Sequence, residues 1–120
     1  MVEKVNLAEK FARFQEVYQP KIAAELNDSY VKLAKIKGEF VWHQHAQEDE
    51  LFWVVQGRLL IQLRDGELWL EPGEFADIPR GVEHCPFAEE TTQVVLLEAK
   101  STLNTGDVHS ARTVAQLEWV

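Results

Sequence analysis

The chain carries one cysteine, Cys85, in 120 residues, so it forms no internal disulfide and nothing in it calls for an oxidising compartment. Basic residues are also scarce: 12 Lys and Arg stand against 20 Asp and Glu, for a formal net charge of −8. That balance argues against DNA, RNA and anionic membrane as partners, since each rewards basic patches. No apolar run approaches the length of a membrane span, and the N-terminal Met1-Val2-Glu3-Lys4-Val5-Asn6 mixes charges where a secretory signal needs an apolar core. Low-complexity tracts and longer-period repeats are absent from the sequence too. The expected location is therefore the cytoplasm. What the chain does have is 46% hydrophobic residues, enough for one domain with a core of its own.

The pattern along the chain is mainly β after a helical start. Asn6 with Glu9 three residues on makes a capping box, and Leu7, Phe11, Phe14 and Tyr18 recur at helical spacing until Pro20. The spacing predicts an amphipathic helix with its aromatic side packed on the outside of the remaining structure or on a partner chain. From Tyr30 the pattern turns strand-like. Leu51-Phe52-Trp53-Val54-Val55 is strongly β-prone and ends at Gly57. Leu59–Leu63 and Glu67–Leu70 flank Asp65-Gly66, a two-residue hairpin signal, and Gln93–Leu97 reads as a buried strand. Many short strands after a lone helix predict a small barrel or sandwich. The expected division is a helical segment over 1–28, a β-barrel over 29–100 and a polar tail over 101–120.

Two stretches carry the chemistry. The first reads Gly38-x4-His43-x-His45-x4-Glu50-x6-Gly57, and the second Gly73-x5-Pro79-x-Gly81-x2-His84. Alternate residues of a strand share a face, which puts His43 and His45 on one side with Cα atoms roughly 6–7 Å apart. Imidazole is the commonest metal-binding side chain and a carboxylate adds a harder oxygen. Three histidines and one glutamate would hold a divalent ion and leave coordination positions free. Glu50 has a second reading, as a carboxylate that orients a ligand histidine from outside the coordination sphere. Taken alone, His-x-His on a surface strand is more often a pair of solvated polar residues.

This double motif resembles the cupin superfamily, as a small single-domain cupin of the kind grouped by sequence with phosphomannose isomerase-like proteins. The resemblance covers roughly residues 30–100. It implies an antiparallel double-stranded β-helix, the cupin barrel, with His43, His45, Glu50 and His84 on the family's four ligand positions. The gap before His43 is one residue shorter than usual, and Ala88 stands where the second motif often ends in Asn; neither change removes a ligand. The implied cofactor is a divalent metal ion, with iron, manganese, nickel and zinc all compatible. A homodimer is the common cupin state.

If Glu50 points inward, so do Phe52 and Val54, while Leu59, Ile61 and Leu63 form an apolar face on the next strand. Phe52, Val54, Ile61 and Leu63 are then expected either to line a pocket around the ion or simply to fill the core. Trp42, Trp53 and Trp69 fall on the opposite face, and that apolar surplus also predicts a dimer. Cys85 turns away from the face that His84 uses and reads as a buried, inert thiol, and His109 as a surface residue. Asn104-Thr105-Gly106 has no role assigned by its pattern. Two functions compete: a metal-dependent enzyme acting on a small molecule, as a dioxygenase or isomerase, and a module that binds a small ligand without turnover. A structural ion ranks behind both. No separate general base or nucleophile stands out.

Overall fold

The computed structural model describes residues 2–120. The chain forms one short helix and eight strands: α1 (Leu7–Phe11), β1 (Lys21–Leu26), β2 (Ser29–Glu39), β3 (Glu50–Gln56), β4 (Leu59–Leu63), β5 (Gly66–Leu70), β6 (Phe75–Ile78), β7 (His84–Ala99) and β8 (Glu118–Trp119). β7 is the strand on which the barrel turns. Its first part pairs with β4, from Leu63↔His84 to Leu60↔Phe87. Its later part pairs with β2 on one edge, from Ile36↔Thr92 to Ser29↔Ala99, and with β3 on the other, from Gln56↔Gln93 to Glu50↔Glu98. β5 extends the β4 side, β6 pairs with β3, and β1 with the two-residue β8 closes beyond β2. The bonds are antiparallel apart from β1 with β8 and a lone bridge from Val17 to Lys35.

Alternation fixes what fills the barrel. Ala34 and Ile36 on β2, Phe52 and Val54 on β3, Leu59 and Ile61 on β4, and Ala88, Val94 and Leu96 on β7 form one buried cluster. The neighbours of these residues along each strand face out. Gly57 closes β3 with φ +96°, and a Cβ there would lie 2.5 Å from Thr92 Oγ1, so glycine alone fits without a shift.

The N-terminal helix is shorter than the periodicity predicts. Asn6 caps it, its side chain accepting from Glu9 N, but it ends at Phe11. Phe11 and Phe14 then pack on Leu33, on the outside of the sheet as expected. Tyr18 departs from that stripe. A positive φ of 57° turns the chain there, and its ring enters the main core, stacked on Phe40 at 4.5 Å. The physical reason is a competing set of backbone partners: Tyr18 N donates to Lys35 O, and Lys35 Nζ donates to Phe14 O, so this stretch finds its hydrogen bonds on β2. Lys21–Leu26, expected within the helical segment, is a strand.

The outer face carries the tryptophans. Trp69 lies under Arg58 and Trp42 under Arg64, each guanidinium 3.9 Å from its ring centre. Trp53 has no such cover and shares an exposed patch with Phe75, 5.7 Å away. Among the described residues, no helix is long and apolar enough to cross a membrane.

Candidate metal centre

His43 and His84 come together through backbone pairing. Each donates its N–H to the other's carbonyl, at 3.0 and 2.9 Å, in an isolated antiparallel bridge. Residues directly opposed in such a bridge share a face, and the two imidazole centres lie 4.3 Å apart. His45 follows two residues after His43 on the same side, and Glu50 opens β3 facing inward. The four residues named from the sequence thus converge: one ligand atom from each of His43, His45, Glu50 and His84 lies within 4.8 Å of all the others, and all four are buried. His109 is exposed and Cys85 stands outside the cluster as a buried thiol, pushed up to about 11 by burial and then by Glu39.

Two of the histidines have a defined tautomer. His43 Nδ1 lies 2.8 Å from Val41 O and His84 Nδ1 2.9 Å from Val82 O. A carbonyl only accepts, so each Nδ1 carries the hydrogen and each Nε2 is left for the centre of the cluster. His45 is different. Both of its ring nitrogens are buried without a hydrogen-bond partner, although Nε2 lies 3.2 Å from Glu50 Oε1. An orphaned buried nitrogen is costly, and an ion at the cluster centre would give Nε2 its partner. The donor set, three imidazole nitrogens and one carboxylate, suits a divalent transition metal. On these observations the residues fit a metal ion.

Behind Glu50 stands a pair that sequence reasoning missed. Glu98 is the cross-strand partner of Glu50, and its Oε1 accepts from Lys32 Nζ at 2.8 Å, with both side chains fully buried. The signal was available: Glu98 continues the inward series Val94, Leu96, and Lys32 the series Ala34, Ile36. Burial, and then the charge of Glu50, push the Glu98 carboxyl well above its ordinary range, so it holds the proton and donates to Glu50. Burial also pulls Glu50 upward, but the hydrogen bond from Glu98 and the rings of His45 and His84 outweigh it and keep Glu50 ionised.

The tail meets the site. Asp107 N donates to Gln44 O and Gln44 N to Asp107 Oδ1, pinning the residue between His43 and His45. Asn104 is fixed in turn by Arg112 O and Val114 N, and Thr105 bonds Thr113. Gly106, at φ +57°, runs so close that a Cβ would sit 2.1 Å from Gln44 O. Asn104-Thr105-Gly106 is thus part of a clasp on the His-x-His segment.

A narrow cavity of about 30 Å³ reaches His43 and Glu50. Its walls include Tyr18, Ile36, Phe40, Phe52 and Leu96, with Glu98 and Asn104 as polar neighbours. Of the four residues expected to line a pocket, Phe52 does so. Val54 and Ile61 fill the core, and Leu63, the cross-strand partner of His84, packs against it.

A family model described as a cupin domain matches residues 29–100. The chain belongs to the cupin domain family. A cupin-2 domain protein of Shewanella frigidimarina NCIMB 400 is 44% identical, with 80% of this chain and 94% of that one covered at a TM-score of 0.79. Protein NMB1881 of Neisseria meningitidis is 30% identical, covering 82% of this chain and 100% of that one at a TM-score of 0.75. The YdbB protein of Bacillus subtilis (strain 168) is 44% identical over 62 residues, a match spanning 51% of this cupin and 55% of YdbB.

Two predictions follow from this geometry. Gly106→Ala forces the clasp away from Gln44, and unfolding measurements should show a loss of about 1–3 kcal/mol for the strained position, with weaker metal binding in the protein that remains folded. The second concerns acid. Burial, and next the neighbouring His84, hold His43 down from 6.5 to about 4. Between those values the folded state binds fewer protons at His43 than the unfolded state, so falling pH destabilises the fold there and pH above the window does not. His84 acts in the opposite sense: burial opposes its charge, but Glu50 raises it overall, so its contribution is present at low pH and lost as pH rises through the raised value. Metal-free protein unfolded in urea across this range should lose up to about 3 kcal/mol through His43. His43→Gln should flatten that part of the slope; identical slopes would contradict the assignment.

Proposed function

We propose that this cupin binds one divalent ion through Nε2 of His43, His45 and His84 and the carboxylate of Glu50, and works as a metal-dependent enzyme on a small molecule that ligates through oxygen. The observation that carries the reading is the convergence of these atoms, above all the unpartnered ring of buried His45. Bound there, a divalent metal supplies Lewis acidity, and iron adds dioxygen chemistry. The chain's own part is to hold the imidazoles in one tautomer, keep Glu50 ionised and exclude water. Four protein ligands leave room for one or two oxygens of a substrate.

The cavity lining favours a dioxygenase over a sugar-phosphate isomerase. Tyr18, Ile36, Phe40, Phe52 and Leu96 offer apolar and aromatic contact, and among the described residues no Lys or Arg lines the cavity to meet a phosphate. The second reading, binding without turnover, rests on the narrowness of this cavity and on the absence from its lining of any Ser, Thr, Cys or Lys, again among the described residues. The single thiol, buried in the barrel, fits a cytoplasmic protein.

Elemental analysis of protein purified without added metal should find about one divalent ion per chain. A folded His43→Ala, His84→Ala double variant that keeps full metal content would overturn the site. Iron-loaded protein is then to be followed for oxygen uptake with catechol-like and diketone compounds, and for isomerised product with sugar phosphates. Uptake abolished by His45→Ala supports the dioxygenase. Compounds that bind near the metal, with no turnover under iron, manganese, nickel or zinc, move the binding module ahead.

We also propose that two copies pair through the outer face around Trp53 and Phe75. Leu7, Val31, Val55 and Val95 border a groove beside Trp53, and this apolar surface is left uncapped while Trp42 and Trp69 are covered by arginine. An exposed patch of this kind marks an interface. Sedimentation at micromolar concentration should give a dimer for the wild type and a monomer for Trp53→Glu. A wild-type monomer would remove the proposal.

A further inference from the structure

Lys32 and Glu98 present a physical problem that the barrel itself does not explain. Glu50 and Glu98 face each other directly across β3 and β7, where like charges oppose pairing. Both are buried, as is Lys32, which reaches Glu98 from β2, two residues along from the cross-strand position of Tyr30. Buried polar and charged groups contribute little net stability compared with apolar residues of similar size. The core around them is otherwise built from such residues: Ala34 and Ile36 on the Lys32 face, Val94 and Leu96 on the Glu98 face. A buried polar triad at this one level therefore calls for another account than packing.

The geometry supplies it. Glu50 Oε1 is the atom that lies 3.2 Å from Nε2 of both His45 and His84. Glu98 stands directly opposite Glu50 across β3 and β7, and is braced at 2.8 Å by Lys32. The remaining oxygen of Glu98, Oε2, is buried with no hydrogen-bond partner. We propose that Glu98, braced by Lys32, is a positioning residue that sets the orientation of Glu50 toward the three histidines and thereby the affinity and geometry of the metal site. The proposal rests on the metal reading above. It adds that the carboxylate ligand is oriented by a buried lysine–glutamate pair reaching from the adjacent β2, whereas His43 and His84 are oriented by backbone carbonyls.

The test uses Co(II), whose visible spectrum reports coordination geometry. Removing both polar heads together, in Lys32→Met with Glu98→Leu, leaves neither one buried without the other, and the barrel should fold. Its Co(II) affinity should fall about 10- to 100-fold, the usual cost of losing an outer partner of a metal ligand, and the cobalt spectrum should change. Glu98→Gln keeps the shape, the acceptor for Lys32 and a donor toward Glu50, and should restore affinity and spectrum. Wild-type affinity and spectrum in the folded double variant would overturn the proposal. Should the double variant not fold, Glu98→Asp retracts the carboxyl from Glu50 while keeping its chemistry, and unchanged cobalt binding there would overturn it equally. If wild-type protein binds no Co(II), the metal reading fails separately. The imidazole ¹H–¹⁵N signals of His84 in metal-free protein then decide: they should move in the double variant and hold in Glu98→Gln, and signals unmoved in both would sink the positioning role.

Discussion

Lys32, His43, His45, Glu50, His84 and Glu98 share one water-poor region of the barrel, and the demand of each for a partner there organises much of what surrounds them. A backbone bridge sets His43 opposite His84, and two carbonyls, each two residues back in the chain, take their Nδ1 hydrogens. One proton between Glu50 and Glu98 and one lysine behind them settle the carboxyls. What is left over is an imidazole, His45, and the ligand atoms of the other three turned toward it. The unmet valence sits at the centre of the cluster, which is where a cation would satisfy all four at once.

That arrangement depends on β7 belonging to both halves of the barrel. His84 stands at its start, paired with β4, and Glu98 near its end, between β2 and β3. One continuous strand therefore delivers a proposed ligand and the proposed brace of another. A register slip of one residue would turn both away from the interior together with Val94 and Leu96. The close packing of Gly57 on Thr92, where β7 passes between its neighbours, guards against such a slip by fixing the end of β3 on the strand.

The parts of this legible in sequence were those governed by strict local periods. Alternation placed His43 with His45 and Glu50 with Phe52, and the two spaced motifs joined His84 to them across forty residues of chain. A small barrel or sandwich after a lone helix followed from the strand and helix periods, and the cupin barrel from the resemblance of the double motif. The helix end did not, because Phe14 and Tyr18 sit at helical spacing while their backbone finds partners on Lys35, a contact no local pattern announces. Pocket and core stayed unseparated for a similar reason: parity says which way Val54 and Ile61 point but not how far along the barrel they lie. Lys32 and Glu98 were visible by parity, yet charged residues at strand ends read first as solvated. The role of Asn104-Thr105-Gly106 needed the close approach of Gly106 to Gln44, which exists only in three dimensions.

Fold membership alone does not choose a reaction, so the asymmetry of the ligands matters more than the barrel that presents them. His43 and His84 are each tied by their own backbone, and Glu50 is tied through Glu98. His45 has no such tether. Its position is set by the chain on either side: Gly81 N donates to its carbonyl, and the neighbouring Gln44 is gripped by Asp107. Any adjustment of the coordination sphere on binding an ion or an oxygen ligand is therefore easiest at His45, the imidazole whose ring nitrogens make no hydrogen bond. On this view residues 104–107, remote in sequence from the metal motifs, belong to the site, because Asp107 grips Gln44 between two proposed ligands and Gly106 packs on the same residue.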